Sequence, residues 1–109
     1  METTPEIVVI FCTIPAAESE AMARALVKNR FVACVNVVPV HSYYQWNGEF
    51  CSESEHLLIA KTKKSMVEVT ISAIKSMHSY EVPEIIAVPI IAGYAPYLEW
   101  VHAGTKDDI

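Results

Sequence analysis

A histidine, a tyrosine and two carboxylates fall within seven residues, His78-Ser79-Tyr80-Glu81-Val82-Pro83-Glu84. The chain then runs directly into the apolar segment Ile85 to Ile91. Polar groups crowded between a helix end and a buried strand are costly unless they pair or act on something. His78 lies near a helix C-terminus, where the backbone dipole favours a cation. It caps the helix, ligates a metal or carries a proton. Glu81 and Glu84 flank a Val-Pro step that holds the chain extended. They are solvated charges, partners for Lys61, Lys63 and Lys64, or, with Lys61, the wall of an ion-handling pocket.

The three cysteines, Cys12, Cys34 and Cys51, are odd in number and widely spaced, so they imply no disulfide framework. There is no CxxC and no Cys/His group at zinc spacing. Cys12 ends the first predicted strand and is either a small buried hydrophobe or a soft metal ligand. Cys34 reads as core, and Cys51 as exposed near a hairpin tip. Trp46 reads as a packing anchor at a subunit interface rather than a ligand-stacking residue. The only glycines are Gly48, Gly93 and Gly104, too few and too scattered for a phosphate loop. GxSxG and HExxH are absent. Cys12 and His78 form a pairable thiol and imidazole, with no third group to complete an enzyme mechanism.

The elements that must position these groups are legible. Ile7-Val8-Val9-Ile10-Phe11 predicts a strand over Glu6 to Ile14, buried on both faces. Pro15 opens a helix over Ala16 to Arg30, with a stripe at Met22, Ala25, Leu26 and Asn29. Val32 to Trp46 predicts an over-long strand, and Pro39 puts it at an edge or bends it. Asn47-Gly48 is a strong hairpin signal because both turn residues must take positive φ. The return strand runs from Glu49 to about Thr62. A helix over Ser65 to His78 carries its stripe at Val67, Ile71, Ile74 and His78. A strand over Ile85 to Ile91 and a short helix over Tyr94 to Ala103 complete the chain. The order β-α-β-β-α-β plus a terminal helix is the α+β ferredoxin-like arrangement, in one domain spanning residues 1–109. Both helices fall on one sheet face. The apolar residues of the other face therefore need cover from another copy, and the long hairpin is an arm for reaching it.

Composition narrows the function classes. The chain has 109 residues, 52% hydrophobic and 19% charged, with a net charge of −5. That suits a compact fold and argues against nucleic-acid binding through a basic patch. No apolar stretch reaches the ~20 residues needed to span a bilayer. Met1 to Glu6 is acidic and polar, unlike a secretory leader, so a cytoplasmic location is expected. Unpaired cysteines suit a reducing compartment.

Taken together, several pieces resemble the CutA family of divalent-cation tolerance proteins. They are Cys12-Thr13, Ala33-Cys34-Val35-Asn36, Trp46-Asn47-Gly48 after paired tyrosines, Lys61-Thr62, His78 to Ile85, and Tyr97-Leu98-Glu99-Trp100. They run in family order over about residues 7 to 102. The resemblance implies a homotrimer similar in architecture to the PII signalling proteins. It also implies a part in tolerance to divalent metals, copper especially, with Cys12 and His78 as ligands. Met77 stands where some members have a second histidine, Ser79 where proline is common, and Gln45 where arginine is frequent. A thiolate and an imidazole suit copper or zinc better than magnesium or calcium. Two ligands do not close a structural site, so bound metal would add water or groups from a neighbouring subunit.

The first expectation is thus a non-enzymatic homotrimer that binds copper or another divalent cation through Cys12 and His78. The second is a PII-like sensor or scaffold, binding a small molecule or partner in inter-subunit clefts lined by Trp46, Lys61, Tyr80 and Glu84.

Overall fold

A computed structural model describes residues 6–107 of the chain. Met1 to Pro5, on which most of the leader reading rests, lie outside the described residues. In chain order the elements are β1 (Ile7–Ile14), α1 (Ala16–Lys28), β2 (Cys34–Trp46), β3 (Glu49–Lys63), α2 (Val67–Met77), β4 (Ile85–Pro89) and α3 (Ala95–Gly104). A 3₁₀ turn, Lys64–Met66, leads into α2. The four strands form one antiparallel sheet in the order β2-β3-β1-β4. This is the predicted α+β, ferredoxin-like architecture. Pro39 sits in an edge strand, where its missing donor costs no ladder bond.

Strand alternation divides the sheet into two unlike faces. Val8, Ile10, Cys12 and Ile14 of β1 join Leu58 and Ala60 of β3 beneath Met22 and Leu26 of α1 and Ile74 of α2. Ile10, Ile14 and Leu26 are completely buried. Each such side chain contributes roughly 1.5–3 kcal/mol. The opposite face carries Val9 and Phe11, with Leu57 and Ile59 across in β3 and Ile86 and Val88 in β4. Only one end of it is covered, where Leu98 and Val101 of α3 pack on Ile7. Ile86 remains 54% exposed and Val88 41%. The second apolar face is present as expected.

Several boundaries differ from the sequence reading. α1 stops at Lys28, because Arg30 takes a left-handed φ of 59°. Asn29 is exposed and does not join the buried stripe, which is Ser19, Met22 and Leu26. In α2 the fully buried residues are Thr70 and Ile74, while Val67 packs partly buried against the core and Ile71 is half-buried. Thr70 satisfies its hydroxyl by donating to the Phe31 carbonyl, which lets a polar residue face the core. The hairpin forms as the Asn47-Gly48 signal requires, with φ of 52° and 79° at those residues.

β1 pairs with β3 only as far as His56, opposite Ile14. The remainder of β2 and β3 projects as a two-stranded arm, and the molecule measures 53 × 25 × 21 Å. That arm and the loop after α2 form two walls of a cleft.

Candidate functional site

The predicted pair Cys12 and His78 converges on one atom. The Cys12 thiol donates to the Thr13 carbonyl oxygen at 3.5 Å, and His78 Nε2 lies 2.8 Å from the same oxygen. The Tyr80 backbone N–H donates to His78 Nδ1 at 3.1 Å. Nδ1 therefore bears the lone pair and Nε2 the proton, so both ring nitrogens are engaged. The imidazole is buried and lies against the Tyr80 ring, with centroids 4.8 Å apart. Cys12 is buried too. Its thiol is pushed up to about 12, first by burial and then by the charges of Glu84 and Glu55. The metal-binding form of cysteine is the thiolate, which this environment disfavours. Among the described residues no group of three or more His, Cys, Asp or Glu side chains is placed to hold a metal ion. In this arrangement the pair does not fit a copper ion. His78 instead ties the loop after α2 to the end of β1.

The cleft lies beside this tie. Its volume is about 510 Å³. Aromatic rings supply much of its wall: Tyr43, Tyr44 and Trp46 from the arm and Tyr80 from the loop. Three carboxylates line it, Glu55, Glu81 and Glu84, and no lysine, arginine or histidine does. Glu55 is only 5% exposed. One of its oxygens, Oε2, accepts the Tyr80 hydroxyl at 2.7 Å. Burial, followed by this bond to Glu55, raises the Tyr80 phenol above its ordinary range and keeps it a donor. Glu81 and Glu84 are exposed at the mouth. Among the described residues none of the three lysines expected to pair with them does so: Lys64 pairs with Glu6 at 3.4 Å, Lys61 donates to Asn36, and Lys63 is buried.

Three of the four predicted cleft residues, Trp46, Tyr80 and Glu84, meet here. Lys61 does not. It pairs across the sheet with Cys34, and its ammonium donates to the Asn36 side-chain oxygen. Six residues of strand separate it from Glu55, roughly 20 Å. Cys34 is half-buried on the open face rather than in the core, and Tyr97 lies against it. Cys51 is half-buried near the arm's tip. His41 and His56 have hydroxyl partners, Ser52 at 2.7 Å and Ser19 at 2.7 Å.

Glu55 is the site residue that sequence reasoning missed. Its signal was present: it shares an alternating row with Leu57 and Ile59, so it is a carboxylate in an apolar period. Tyr43 and Tyr44 belong to the same wall as Trp46, and their pairing before the turn was the visible clue.

Comparison with known proteins is consistent throughout. The family model described as CutA1 divalent ion tolerance protein matches residues 8–104. A protein named CutA, chloroplastic, from Arabidopsis thaliana is 42% identical over 97% of this chain and 59% of its own length. The divalent-cation tolerance protein CutA of Thermus thermophilus is 40% identical over 89% of this chain and 96% of its own. The chain spans about 55–60% of the length of several curated relatives from plants and mammals. Among solved structures, CutA1 from Oryza sativa superposes with a TM-score of 0.93 at 36% identity, covering 98% of this chain and 100% of that one. A structure described as the PII-like protein CutA from Nostoc, in apo form, gives 0.88 at 36% identity, covering 91% and 97%.

Proposed function

This chain belongs to the CutA1 divalent ion tolerance family, and from that premise we propose that it serves divalent-cation tolerance as a homotrimer. Divalent ions, copper among them, are the cargo. They meet the protein at the acidic mouth of the cleft, at Glu81 and Glu84, rather than at Cys12 and His78. One observation carries this reading: three carboxylates line the cleft with no basic side chain among them. Carboxylate oxygens hold divalent ions without prior loss of a proton at neutral pH, which the Cys12 thiol does not. Two exposed carboxylates bind such an ion weakly and with retained water, as suits a protein that buffers or senses it. The proposed role is binding, not catalysis.

Titration with Cu(II) and Zn(II), followed calorimetrically, tests the site. The double variant Glu81→Gln/Glu84→Gln should lose at least about tenfold in affinity. Cys12→Ser and His78→Ala should stay within about twofold of the parent. Loss of binding in either of those two, with the glutamine variant intact, would return the site to the thiol and imidazole.

The aromatic wall favours a second reading, that the cleft binds a small molecule as in a PII-like sensor. Among the described residues no helix is long and apolar enough to cross a membrane. A relative is named chloroplastic and a similar structure periplasmic. The three free cysteines suit a reducing compartment, and the cytoplasm is the proposed location.

A further inference from the structure

We infer that the inner part of the cleft is a binding site for a primary organic ammonium ion with an apolar body, held by the Glu55 carboxylate and the faces of Tyr44 and Trp46. The inference rests on the small-molecule reading of the cleft and names its ligand class. Glu55 anchors the argument. A carboxylate this deeply buried needs partners for its lone pairs. The Tyr80 hydroxyl occupies Oε2, and among the described residues no donor reaches Oε1; no buried side-chain oxygen there lacks a partner, so Oε1 is open to the cleft. That oxygen belongs to a residue lining the cavity, so a donor reaching it comes from the cleft itself.

The surroundings select the donor's character. Glu81 and Glu84 add negative charge at the mouth, while no lysine, arginine or histidine lines the wall. An anionic ligand is thus disfavoured by charge and receives no ion pair. A bare metal ion inside meets one carboxylate and a ring of aromatic carbon, which is a poor coordination shell. A cleft of about 510 Å³ also falls in the range that encloses small organic molecules. Aromatic faces attract organic cations and bury apolar bodies. An ammonium group supplies the N–H donor for Glu55, and its hydrocarbon packs against Tyr44, Trp46 and Val82. The mouth carboxylates steer it inward.

The probe is 2-phenylethylammonium, with 3-phenylpropanoate and 3-phenylpropanol as the anionic and neutral controls. Trp46 and Trp100 are the two tryptophans. In a Trp100→Phe background, fluorescence of Trp46 therefore reports the cleft alone, and calorimetry confirms the affinity. The ammonium probe should bind, and the two controls at least about tenfold more weakly. Glu55→Gln and Trp46→Ala should each weaken the ammonium probe about tenfold. Trp46 is 45% exposed, so its truncation is not expected to disturb folding and serves should Glu55→Gln not fold. Equal binding of the anion, or ammonium binding untouched by both variants, would overturn the assignment, as would failure of the ammonium to bind. Glu81→Gln/Glu84→Gln separates the two readings. It should lose Zn(II) yet still bind 2-phenylethylammonium, so one reading can fail while the other stands.

Discussion

At the residue scale, Cys12 and His78 show how chemistry implied by residue type yields to position. The thiol lies within β1, whose alternate residues Val8, Ile10, Cys12 and Ile14 are all core, and the imidazole finds a carbonyl 65 positions away. Cys12 was legible as a small buried hydrophobe from its strand. The His78 partner was not legible, because only the folded chain brings β1 beside the loop after α2. Burial that raises the Cys12 thiol from 9.0 to about 12 makes folding sensitive to alkali. The folded state holds this proton more tightly than the unfolded chain. Its stabilising contribution is therefore complete below pH 9 and is lost as pH rises from there through about 12. Denaturant midpoints taken at pH 8, 10 and 11 should fall more steeply for the parent than for Cys12→Val. Parallel slopes would mean that the thiol titrates in the folded protein as it does unfolded. A thiol-specific alkylating reagent should also label Cys51 before Cys12 at pH 8.

At the element scale, the strands and the Asn47-Gly48 turn were readable because period and turn chemistry are local. Helix ends were less so. α1 reads as running to Arg30, since arginine is a good helix former. Arg30 instead turns left-handed, and the Phe31 N–H reaches back to the Leu26 carbonyl. Long-range bonds compensate for the strained backbone. The guanidinium donates to the carbonyls of Ala103, Gly104 and Thr105, and the Lys106 N–H donates to the Arg30 carbonyl. Arg30 thus clamps the end of α3 against the sheet, where Leu98 and Val101 cover Ile7. Two opposed effects can be separated by substitution. Arg30→Ala loses the side-chain bonds and keeps the left-handed strain, for a loss of about 2 kcal/mol. Arg30→Gly loses the same bonds but relieves strain worth about 1 kcal/mol, so it should be the more stable of the two. Chemical denaturation should rank parent, Gly, Ala. An Ala variant at least as stable as the Gly variant would show that the positive φ carries no strain.

At the scale of the whole molecule, the open sheet face and the arm make one argument. The face presents Val38, Ile86 and Val88, each at least 40% exposed. Beyond His56 the arm is a lone two-stranded ribbon, a structure marginal in water without support. Two of its rings, Tyr43 and Phe50, are largely exposed. Both features are resolved together if copies pack through this face and clasp one another with their arms, as the proposed homotrimer requires. Lys61 and Asn36 satisfy each other on the same face, so burying it leaves no stranded ammonium from that pair. A charge placed among the aliphatic residues would have no such partner. Ile86→Glu should therefore dissociate the assembly while leaving the helix-side core, and the far-ultraviolet dichroism, unchanged. Light scattering coupled to size exclusion should give three chain masses for the parent and one for the variant. The parent's melting temperature should also rise with protein concentration, because dissociation accompanies unfolding. A parent that elutes as a single chain at micromolar concentration would remove the trimer. The arm's exposed rings would then need a different partner. An intact trimer in Ile86→Glu would move the contact off β4 and onto β2 and the arm.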